Sequence, residues 1–175
     1  MPAFNLRDAR IAIRCPAAED CDELLSLVHS SRNLHHPWVE PPSTREQFET
    51  YLQSRQCTVS DGFVLCNKTT NAILGVVNLN IIVRGKFDSA YLGYYIGAAN
   101  AGQGFMTEGL KLVARYAFKQ MGLHRLEANI QPGNLASIAV ARKCGFQLEG
   151  FSPKYLKILG QWRDHERWAL LADAD

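Results

Sequence analysis

The amino-acid sequence predicts an α/β fold of the α+β type around a mixed sheet, and three observations support this prediction. Several segments alternate apolar and polar side chains with the two-residue period of a strand. Others repeat apolar residues at the three- and four-residue spacing of an amphipathic helix. Gly, Pro and Asn residues separate these segments. The predicted order is strand, two helices, three strands, helix, strand, helix and two strands.

The first part of the chain is predicted to contain a strand, a helix and a proline-rich loop. Residues 11–15 form the strand, which Pro16 ends. Residues 19–30 have apolar side chains at helical spacing. The prolines of HHPWVEPP, residues 35–42, exclude a regular helix at that place.

A second helix and a hairpin follow the proline-rich loop. Ser43 and Glu46 have the spacing of a capping box, in which Ser43 accepts from the amide of Glu46 while Glu46 reaches back. The helix is predicted to run to about Ser54. Residues 62–66 and 73–83 then have the composition of two strands joined by a hairpin turn.

The remaining part of the chain alternates strands with helices. The predicted elements are a strand over 89–96, a helix over 107–121, a strand over 124–130, a helix from 134 to 145, and strands near 147–157 and 162–171. Leu126, Ala128 and Ile130 alternate with polar residues, so one face of their strand should be buried. The helix that opens at Asn134 is apolar nearly all round and is therefore predicted to be largely buried.

Length and charge exclude several classes of protein. A chain of 175 residues without repeats or linkers is predicted to be a single domain over 1–175. The formal net charge is +2 and there is no Lys/Arg run, so direct nucleic-acid binding is not expected. The N-terminal segment lacks the apolar run of a signal peptide, and no stretch is long enough to span a bilayer. We therefore predict a cytoplasmic protein that does not associate with membranes.

The cysteine pattern gives no sign of a metal or redox site. The five cysteines are Cys15, Cys21, Cys57, Cys66 and Cys144. None forms a C-x-x-C pair, so zinc or another bound metal is not expected, and free thiols in a reducing compartment are predicted. The place of Cys144 in a KCGF turn predicts a packed core thiol and not a nucleophile.

The stretch NAGQGFMTEG, between a predicted strand and a helix, is the most informative in the chain. Gly102 and Gly104 allow a tight turn without a Cβ atom in the way. The amides predicted to point outward at the helix start are those of Gln103, Gly104, Phe105, Met106 and Thr107. Free amides at a helix N-terminus bind anions, and phosphate is the usual one. A plain glycine loop is the alternative interpretation.

The identity of the phosphate can be narrowed from the same stretch. A Walker A loop ends in Gly-Lys-Ser/Thr, and neither that lysine nor its spacing is present. A dinucleotide fingerprint has a third glycine where Thr107 stands, and belongs at the start of a parallel βαβ unit. The pyrophosphate of another cofactor fits better.

A second turn into a helix follows at Pro132-Gly133-Asn134. Asn134 is a natural N-cap residue, and Ser137 falls at the third helical position. Either Asn134 caps the helix with Ser137 as its partner, or the polar groups at this helix end line a cleft. The sequence leaves both interpretations open.

Together these segments resemble the GNAT superfamily of N-acetyltransferases. The stretch YLGYYIGAANAGQGFMTEGLKLVARYAF resembles its strand, pyrophosphate loop and helix, and HRLEANIQPGNLASIAVARKCGFQLEGF resembles the next strand and helix. HHPWVEPP, VVNLNIIVRGKFDSAYLGYYIG and KYLKILGQWRDHERWALL are similar to the RimJ/RimL branch, the ribosomal-protein-alanine N-acetyltransferases. The sequence departs from the family loop at Ala101 and Met106, but neither departure removes a backbone amide.

The resemblance implies a GNAT fold and a set of cofactor contacts. The sheet would be mixed and mostly antiparallel, with helices on both faces and a V-shaped splay between two parallel strands. Acetyl-CoA would bind as co-substrate, with the pantetheine arm in the splay. The implied cofactor-binding residues are Tyr95, Ile96, Gly97, Gly102, Gln103, Gly104, Phe105, Met106, Thr107, Asn129, Asn134 and Ser137.

The resemblance also implies direct attack of an amine on the thioester, with Ser137 and Asn134 as catalytic residues, and Glu127 is predicted as the third from its place on the strand face of Asn129. Ser137 would donate to the leaving thiolate and Asn134 would bind the pantetheine. An α-amino group has a pKa of about 7.7–8.0, so a weak base suffices. Glu127 is placed slightly ahead of the other candidate bases, which are Glu40, Glu108 and Asp164.

The acceptor is predicted to bind near the proline-rich loop, with Trp38, Glu40 and Tyr91 as substrate-binding residues. A protein N-terminus, such as that of a ribosomal protein, is the first hypothesis. A small amine (antibiotic, polyamine or amino acid) and a non-catalytic CoA sensor are the alternatives, with the protein a monomer or homodimer. His124 and His165 show no partner pattern and are expected to be structural. The sequence does not show whether residues 162–165 border the acceptor cleft.

Overall fold

A computed structural model describes residues 10–55 and 60–172, and in these ranges the chain forms seven strands and five helices. The strands are β1 (Ile11–Arg14), β2 (Asp61–Asn67), β3 (Ile73–Val83), β4 (Ser89–Ile96), β5 (Arg125–Ile130), β6 (Gln147–Ile158) and β7 (Gln161–Leu171). The helices are α1 (Cys21–Ser30), α2 (Arg32–His35), α3 (Arg45–Ser54), α4 (Phe105–Lys119) and α5 (Leu135–Lys143). The predicted element order is confirmed, except that the sequence did not indicate the short α2.

The strands form one sheet in the order β1-β2-β3-β4-β5-β7-β6. Every neighbouring pair is antiparallel except β4 and β5, which are parallel. Their register runs from Ser89↔Arg125 to Leu92↔Ala128, whereas β4 continues to Ile96 and β5 to Ile130. The two strands therefore part in the middle of the sheet. This arrangement confirms the predicted mixed sheet with a splay between two parallel strands.

Helices cover both faces of the sheet because the strands at its centre are apolar on both sides. On β2, Phe63 and Leu65 pack into one hydrophobic cluster with α4 and α5. The alternating residues Val64 and Cys66 pack into a second cluster with α1 and α3. The alternation of Leu126, Ala128 and Ile130 on β5 is confirmed, since all three are buried in the first cluster.

Helix α4 begins and ends two residues earlier than the predicted range of 107–121. Gly104, with a φ of 84°, is the residue that precedes the helix, so the first turn already includes Phe105 and Met106. The chain leaves the helix at Gln120, and Gly122 takes a left-handed conformation in the turn beyond it. The earlier start places the Gly-rich turn directly at the helix N-terminus.

Two local predictions were wrong. The residue that caps α3 is Thr44 and not Ser43: Thr44 Oγ1 accepts from the Gln47 amide at 3.2 Å. Gln47 Oε1 accepts from the Ser43 amide at 2.8 Å, one residue before the cap, so Gln47 and not Glu46 is the residue that reaches back at this helix start. Helix α5 is not largely buried, because Ile138 and Ala141 are its only buried residues and Leu135 is 73% exposed.

No helix within the two described ranges is both long enough and apolar enough to cross a membrane. Four of the five cysteines lie in these ranges as free thiols, Cys15 exposed and Cys21, Cys66 and Cys144 buried. Cys57, the fifth, lies outside the described residues.

Helix α4 packs so closely on the sheet that Gly109→Ala should destabilise the protein. A Cβ atom at Gly109 would stand 2.4 Å from Leu65 Cδ1, and Leu65 is fully buried. Alanine gains about 1 kcal/mol in helix propensity, but overpacking of a core typically costs about 1–3 kcal/mol. We therefore expect a lower free energy of unfolding in a urea titration. Arg115→Ala, on the exposed side of α4, is the control and should change it by less than about 0.5 kcal/mol. A stabilised Gly109→Ala protein would contradict this packing argument.

Candidate active site

A continuous cleft runs from the Gly-rich turn, through the splay, to the β6–β7 hairpin. Its first part, the loop-side groove, has a volume of about 310 Å³ and lies between the start of α4, the end of β4 and α5. Its second part, the hairpin-side cavity, has a volume of about 570 Å³ and lies between β4, β5 and the hairpin. Five residues line both parts, namely Trp38, Val39, Tyr94, Asn134 and Ser137. The two parts therefore meet at these side chains.

The Gly-rich turn has the geometry of an anion site. Gly102 and Gly104 have φ angles of 75° and 84°, in the left-handed region that favours glycine. The Glu108 amide makes the first helical hydrogen bond, to the Gly104 carbonyl at 3.0 Å. The amides of residues 105–107 precede that bond and have no acceptor within the helix. They lie at the positive end of the α4 dipole, facing the loop-side groove.

Arg10 adds a cation to the turn, and the sequence analysis missed it. Its Nη2 donates to the Gln103 carbonyl at 3.0 Å, and its guanidinium lies 4.4 Å from the centre of the Phe105 ring. Its Nε also donates to Glu108 Oε1 at 2.9 Å, which offsets a carboxylate in the first turn of α4. No local pattern could reveal these contacts, because Arg10 and the turn are far apart in the chain.

A hydrogen-bonded triplet stands where the two parts of the cleft meet. Asn134 Oδ1 accepts from the Ser137 amide at 3.1 Å, so Asn134 is the N-cap that the sequence predicted. The Ser137 hydroxyl is 2.7 Å from the Tyr94 hydroxyl. Burial raises the pKa of Tyr94 to about 12, so its phenol stays protonated at neutral pH. Tyr94, which the sequence analysis did not select, can thus act as a donor to Ser137.

The end of β4 presents only some of its backbone groups to the splay. The Gly97 amide donates to the Leu74 carbonyl of β3 at 2.8 Å, and the Ile96 carbonyl accepts from His35 Nε2 at 2.9 Å. Residues of an antiparallel pair direct their amides and carbonyls alternately to the two sides. The backbone amide and carbonyl of Tyr95 therefore point to β3, as the amide of Gly97 does. The backbone amide of Ile96 points to the splay. The predicted cofactor contacts of Tyr95, Ile96 and Gly97 remain predictions, and Ile96 has the most suitable orientation.

The hairpin-side cavity has a neutral, largely aromatic and amide wall. Trp38, Tyr91 and Asn129 line it, and Asn129 Oδ1 is buried without a hydrogen-bond partner. The Trp38 ring lies against Gly133, where a Cβ atom would be 3.1 Å from it. Among the described residues that line this cavity there is no Asp, Glu, Lys or Arg.

The candidate bases all have other partners. Glu127 Oε1 accepts from Arg125 Nε at 2.7 Å in a partly buried ion pair. Glu40 Oε2 accepts from the Leu159 amide at 2.8 Å. Neither side chain lines the groove or the cavity, and the assignment of Glu127 as the base remains a prediction.

The other two acids are also engaged. Glu108 pairs with Arg10 beside the Gly-rich turn, and Asp164 Oδ1 accepts from the Lys154 amide at 2.8 Å.

Cys144 is confirmed as a packed core thiol: it is buried, and burial raises its pKa to about 12. A thiol with that pKa is almost entirely protonated at neutral pH and is a poor nucleophile. In the described part of the chain, no three His, Cys, Asp or Glu side chains are grouped as a metal ion would need.

Residues 10–147 match the acetyltransferase (GNAT) domain family. The chain belongs to the GNAT acetyltransferases. A probable N-acetyltransferase of Bacillus subtilis, YjcK, is 32% identical over 97% of this GNAT chain and 98% of its own. The [ribosomal protein uS5]-alanine N-acetyltransferase of Escherichia coli is also 32% identical, over 97% of this chain and 92% of its own. The protein is therefore an acetyl-CoA-dependent N-acetyltransferase.

Solved structures share the fold of this GNAT enzyme. The ribosomal-protein-S5-alanine acetyltransferase of Vibrio fischeri is 27% identical, with a TM-score of 0.83 over 97% of this chain and 96% of that one. RimJ of Mycobacterium smegmatis, in complex with a CoA disulfide, is 24% identical, with a TM-score of 0.86 over 93% and 82%. Spermidine N-acetyltransferase of Vibrio cholerae, in complex with CoA and spermine, is 21% identical, with a TM-score of 0.79 over 93% and 95%. The last two comparisons concern the fold alone.

Two substitutions at Asn134 separate a helix cap from a cofactor contact. Asn134→Ala removes the bond to the Ser137 amide and should lower the free energy of unfolding by about 1 kcal/mol. Asn134→Ser keeps a capping oxygen, and its stability should change by only a few tenths of a kcal/mol. We expect both variants to bind CoA more weakly in calorimetry, because both lose the amide. Wild-type affinity in Asn134→Ser would show that Asn134 serves only as a cap.

Proposed function

We propose that this enzyme acetylates the N-terminal α-amino group of a protein, in the manner of the RimJ branch. The neutral wall of the hairpin-side cavity is the observation that carries the proposal. A polyamine has several cationic groups and is best recognised by carboxylates, and the described wall contains none. A chain terminus has one amine followed by neutral backbone, which fits amide and tyrosine side chains. The name of the Escherichia coli relative supports the same acceptor, a ribosomal protein beginning with alanine.

The cofactor is proposed to lie along the loop-side groove. Its pyrophosphate would accept from the amides of the turn formed by Gly102, Gln103, Gly104, Phe105, Met106 and Thr107. Lys143 and Arg10 stand on either side of that turn as cations for phosphate oxygens. The pantetheine would follow β4 past Ile96 to Asn134 and Asn129. This course brings the thioester to the place where the groove meets the cavity.

At that place, catalysis rests mainly on positioning. The amine enters from the hairpin-side cavity, past Trp38 and Tyr91, and attacks the thioester carbonyl directly. Ser137, held by Tyr94, donates to the sulfur as the carbon–sulfur bond breaks. Glu40 acts indirectly, because its bond to Leu159 fixes the loop that carries Trp38.

A ribosomal acceptor would place the enzyme in the cytoplasm. That location, the single domain over 1–175 and the monomeric or dimeric state remain predictions.

The acceptor can be identified by acetyl-CoA turnover, measured as thiol release, over a matched panel. We expect a peptide that begins with alanine to be acetylated, because an α-amine with a pKa of about 7.7–8.0 has a useful neutral fraction at pH 7, whereas a lysine amine with a pKa of about 10.4 is almost entirely charged. The same peptide with a blocked N-terminus and an internal lysine is the control and should not react. Turnover of spermidine or a free amino acid, without turnover of any peptide, would contradict the protein acceptor.

A double-mutant cycle tests whether Ser137 and Tyr94 act as one unit. Ser137→Ala and Tyr94→Phe should each lower kcat by about tenfold to a hundredfold, since each breaks the bond between the two hydroxyls. The double variant should lose little more than either single variant. CoA affinity, measured by calorimetry, should be nearly unchanged. Tyr116→Phe, on the outer side of α4, is the matched control and should keep full turnover. Additive losses would show that the two hydroxyls act independently.

A further inference from the structure

His165 has an unexpected position for a residue that the sequence marked as structural. It belongs to β7, opposite Ser152 of β6, and only 2% of it is exposed. Its side chain nevertheless lines the hairpin-side cavity, the same cavity that Tyr94 and Ser137 line. A buried imidazole therefore faces the space from which the acceptor amine must approach.

The hydrogen bond of the ring fixes its tautomer. His165 Nδ1 lies 2.9 Å from the Arg163 carbonyl oxygen, and a carbonyl can only accept. Nδ1 must therefore carry the proton. A neutral imidazole then has its lone pair on Nε2. Nε2 has no hydrogen-bond partner among residues 10–55 and 60–172, so its lone pair is available to a ligand.

The surroundings of the ring favour the uncharged form. Burial lowers the pKa of His165 from its usual value, although the hydrogen bond to the Arg163 carbonyl and the charge of Asp164 oppose this shift. The groups that face it across β6 and β4 are phenols: Tyr155 meets the ring edge-on at 6.3 Å between centres, and Tyr91 and Tyr94 line the same cavity. The charged side chains of its own strand, which are Arg163, Asp164, Glu166 and Arg167, are not part of the cavity wall.

No other described group on the cavity wall can accept a proton at neutral pH. The wall contains three tyrosines besides His165, and phenols, whose pKa is ordinarily about 10, are protonated at neutral pH. Burial raises the pKa of Tyr91 and Tyr94 further. Asn and Gln side chains on the wall are not bases. Glu127, the base that the sequence suggested, is held in its ion pair with Arg125 outside the cavity.

We propose that Nε2 of His165 accepts the proton of the acceptor amine, an inference that rests on the proposed function. The lone pair of the neutral amine forms the bond to the thioester carbon, and the carbon–sulfur bond breaks with its electron pair on sulfur. The nitrogen gives one proton to His165 Nε2, and the thiolate takes one proton from the Ser137 hydroxyl. Tyr94 passes its proton to Ser137 and takes one back from solvent, and His165 releases its proton to solvent. The net change is one proton moved from nitrogen to sulfur.

His165→Asn is the decisive variant, because the asparagine amide keeps a donor for the Arg163 carbonyl but removes Nε2. We expect kcat to fall about a hundredfold at pH 7, with wild-type CoA affinity. The loss should shrink towards pH 9, where hydroxide takes over the proton, and added imidazole should restore part of the activity. His124→Asn, an exposed histidine before β5, is the control and should keep the wild-type rate. A loss that is the same at every pH and is not rescued by imidazole would overturn the proposal, as would wild-type turnover in His165→Asn.

Nitrogen NMR of the wild-type protein gives a test that does not depend on turnover. Spectra of ¹⁵N-histidine-labelled enzyme should show His165 as the Nδ1–H tautomer, uncharged at pH 7. An Nε2–H tautomer or an imidazolium at that pH would overturn the proposal even if no acceptor were found. Conversely, if the enzyme acetylates a small amine and no peptide, the proposed acceptor fails while the role of His165 is tested with that amine.

Discussion

The functional architecture depends on the point at which β4 and β5 stop sharing hydrogen bonds. Up to Leu92 and Ala128 the two parallel strands form an ordinary ladder, and beyond that pair they no longer bond to each other, although β4 stays paired with β3 and β5 with β7. A sheet that parts in its centre leaves backbone donors and acceptors without strand partners, which is costly unless another molecule satisfies them. An extended ligand with amide groups can take the place of the missing strand. The gap in the ladder is thus what gives this fold its binding site.

The surrounding structure holds that gap open from both faces. Helix α4 is fixed against β2 by the contact of Gly109 with Leu65, and it carries the Gly-rich turn to the mouth of the gap. On the opposite face, His35 ties the Ile96 carbonyl to α2 and packs edge-on against Tyr95. These contacts fix the end of β4 before any ligand arrives. Such preorganisation is what an enzyme that works by positioning requires.

Much of the fold was predictable from the sequence because periodicity and turn residues are local signals. The strands, the amphipathic α4 and the Asn134 cap followed from patterns within a few residues. The errors arose where two local solutions compete or where burial depends on the ligand. Ser43 and Thr44 both offer a capping oxygen, and only the register of Gln47 decides between them. An apolar helix face has the same sequence pattern whether it packs on the core or lines an open groove. Part of α5 lines the loop-side groove.

The residues of the candidate site also fall into two groups, those that a local sequence pattern reveals and those that only distant contacts define. The glycines of the turn and the N-x-x-S pattern at Asn134 could be found because their function depends on neighbours in the chain. Tyr94, Arg10 and His165 could not, because each acquires its role from a residue or cavity far away in sequence. For His165 the deciding facts are a carbonyl that orients the ring and a wall without carboxylates, and neither is written in a motif.

The bond between Glu40 and the Leu159 amide joins two segments that are distant in sequence and sit on opposite rims of the cleft. Val39 and Ile158, next to these residues, both line the hairpin-side cavity. The two segments are therefore tied together at the cavity wall, beside the turn at Leu159 and Gly160. Lengthening or shortening that turn would re-space the entrance while leaving Tyr94, Ser137 and the coenzyme groove untouched. Proteins built on this plan can accordingly diverge in the substrates they admit without any change to their reaction chemistry.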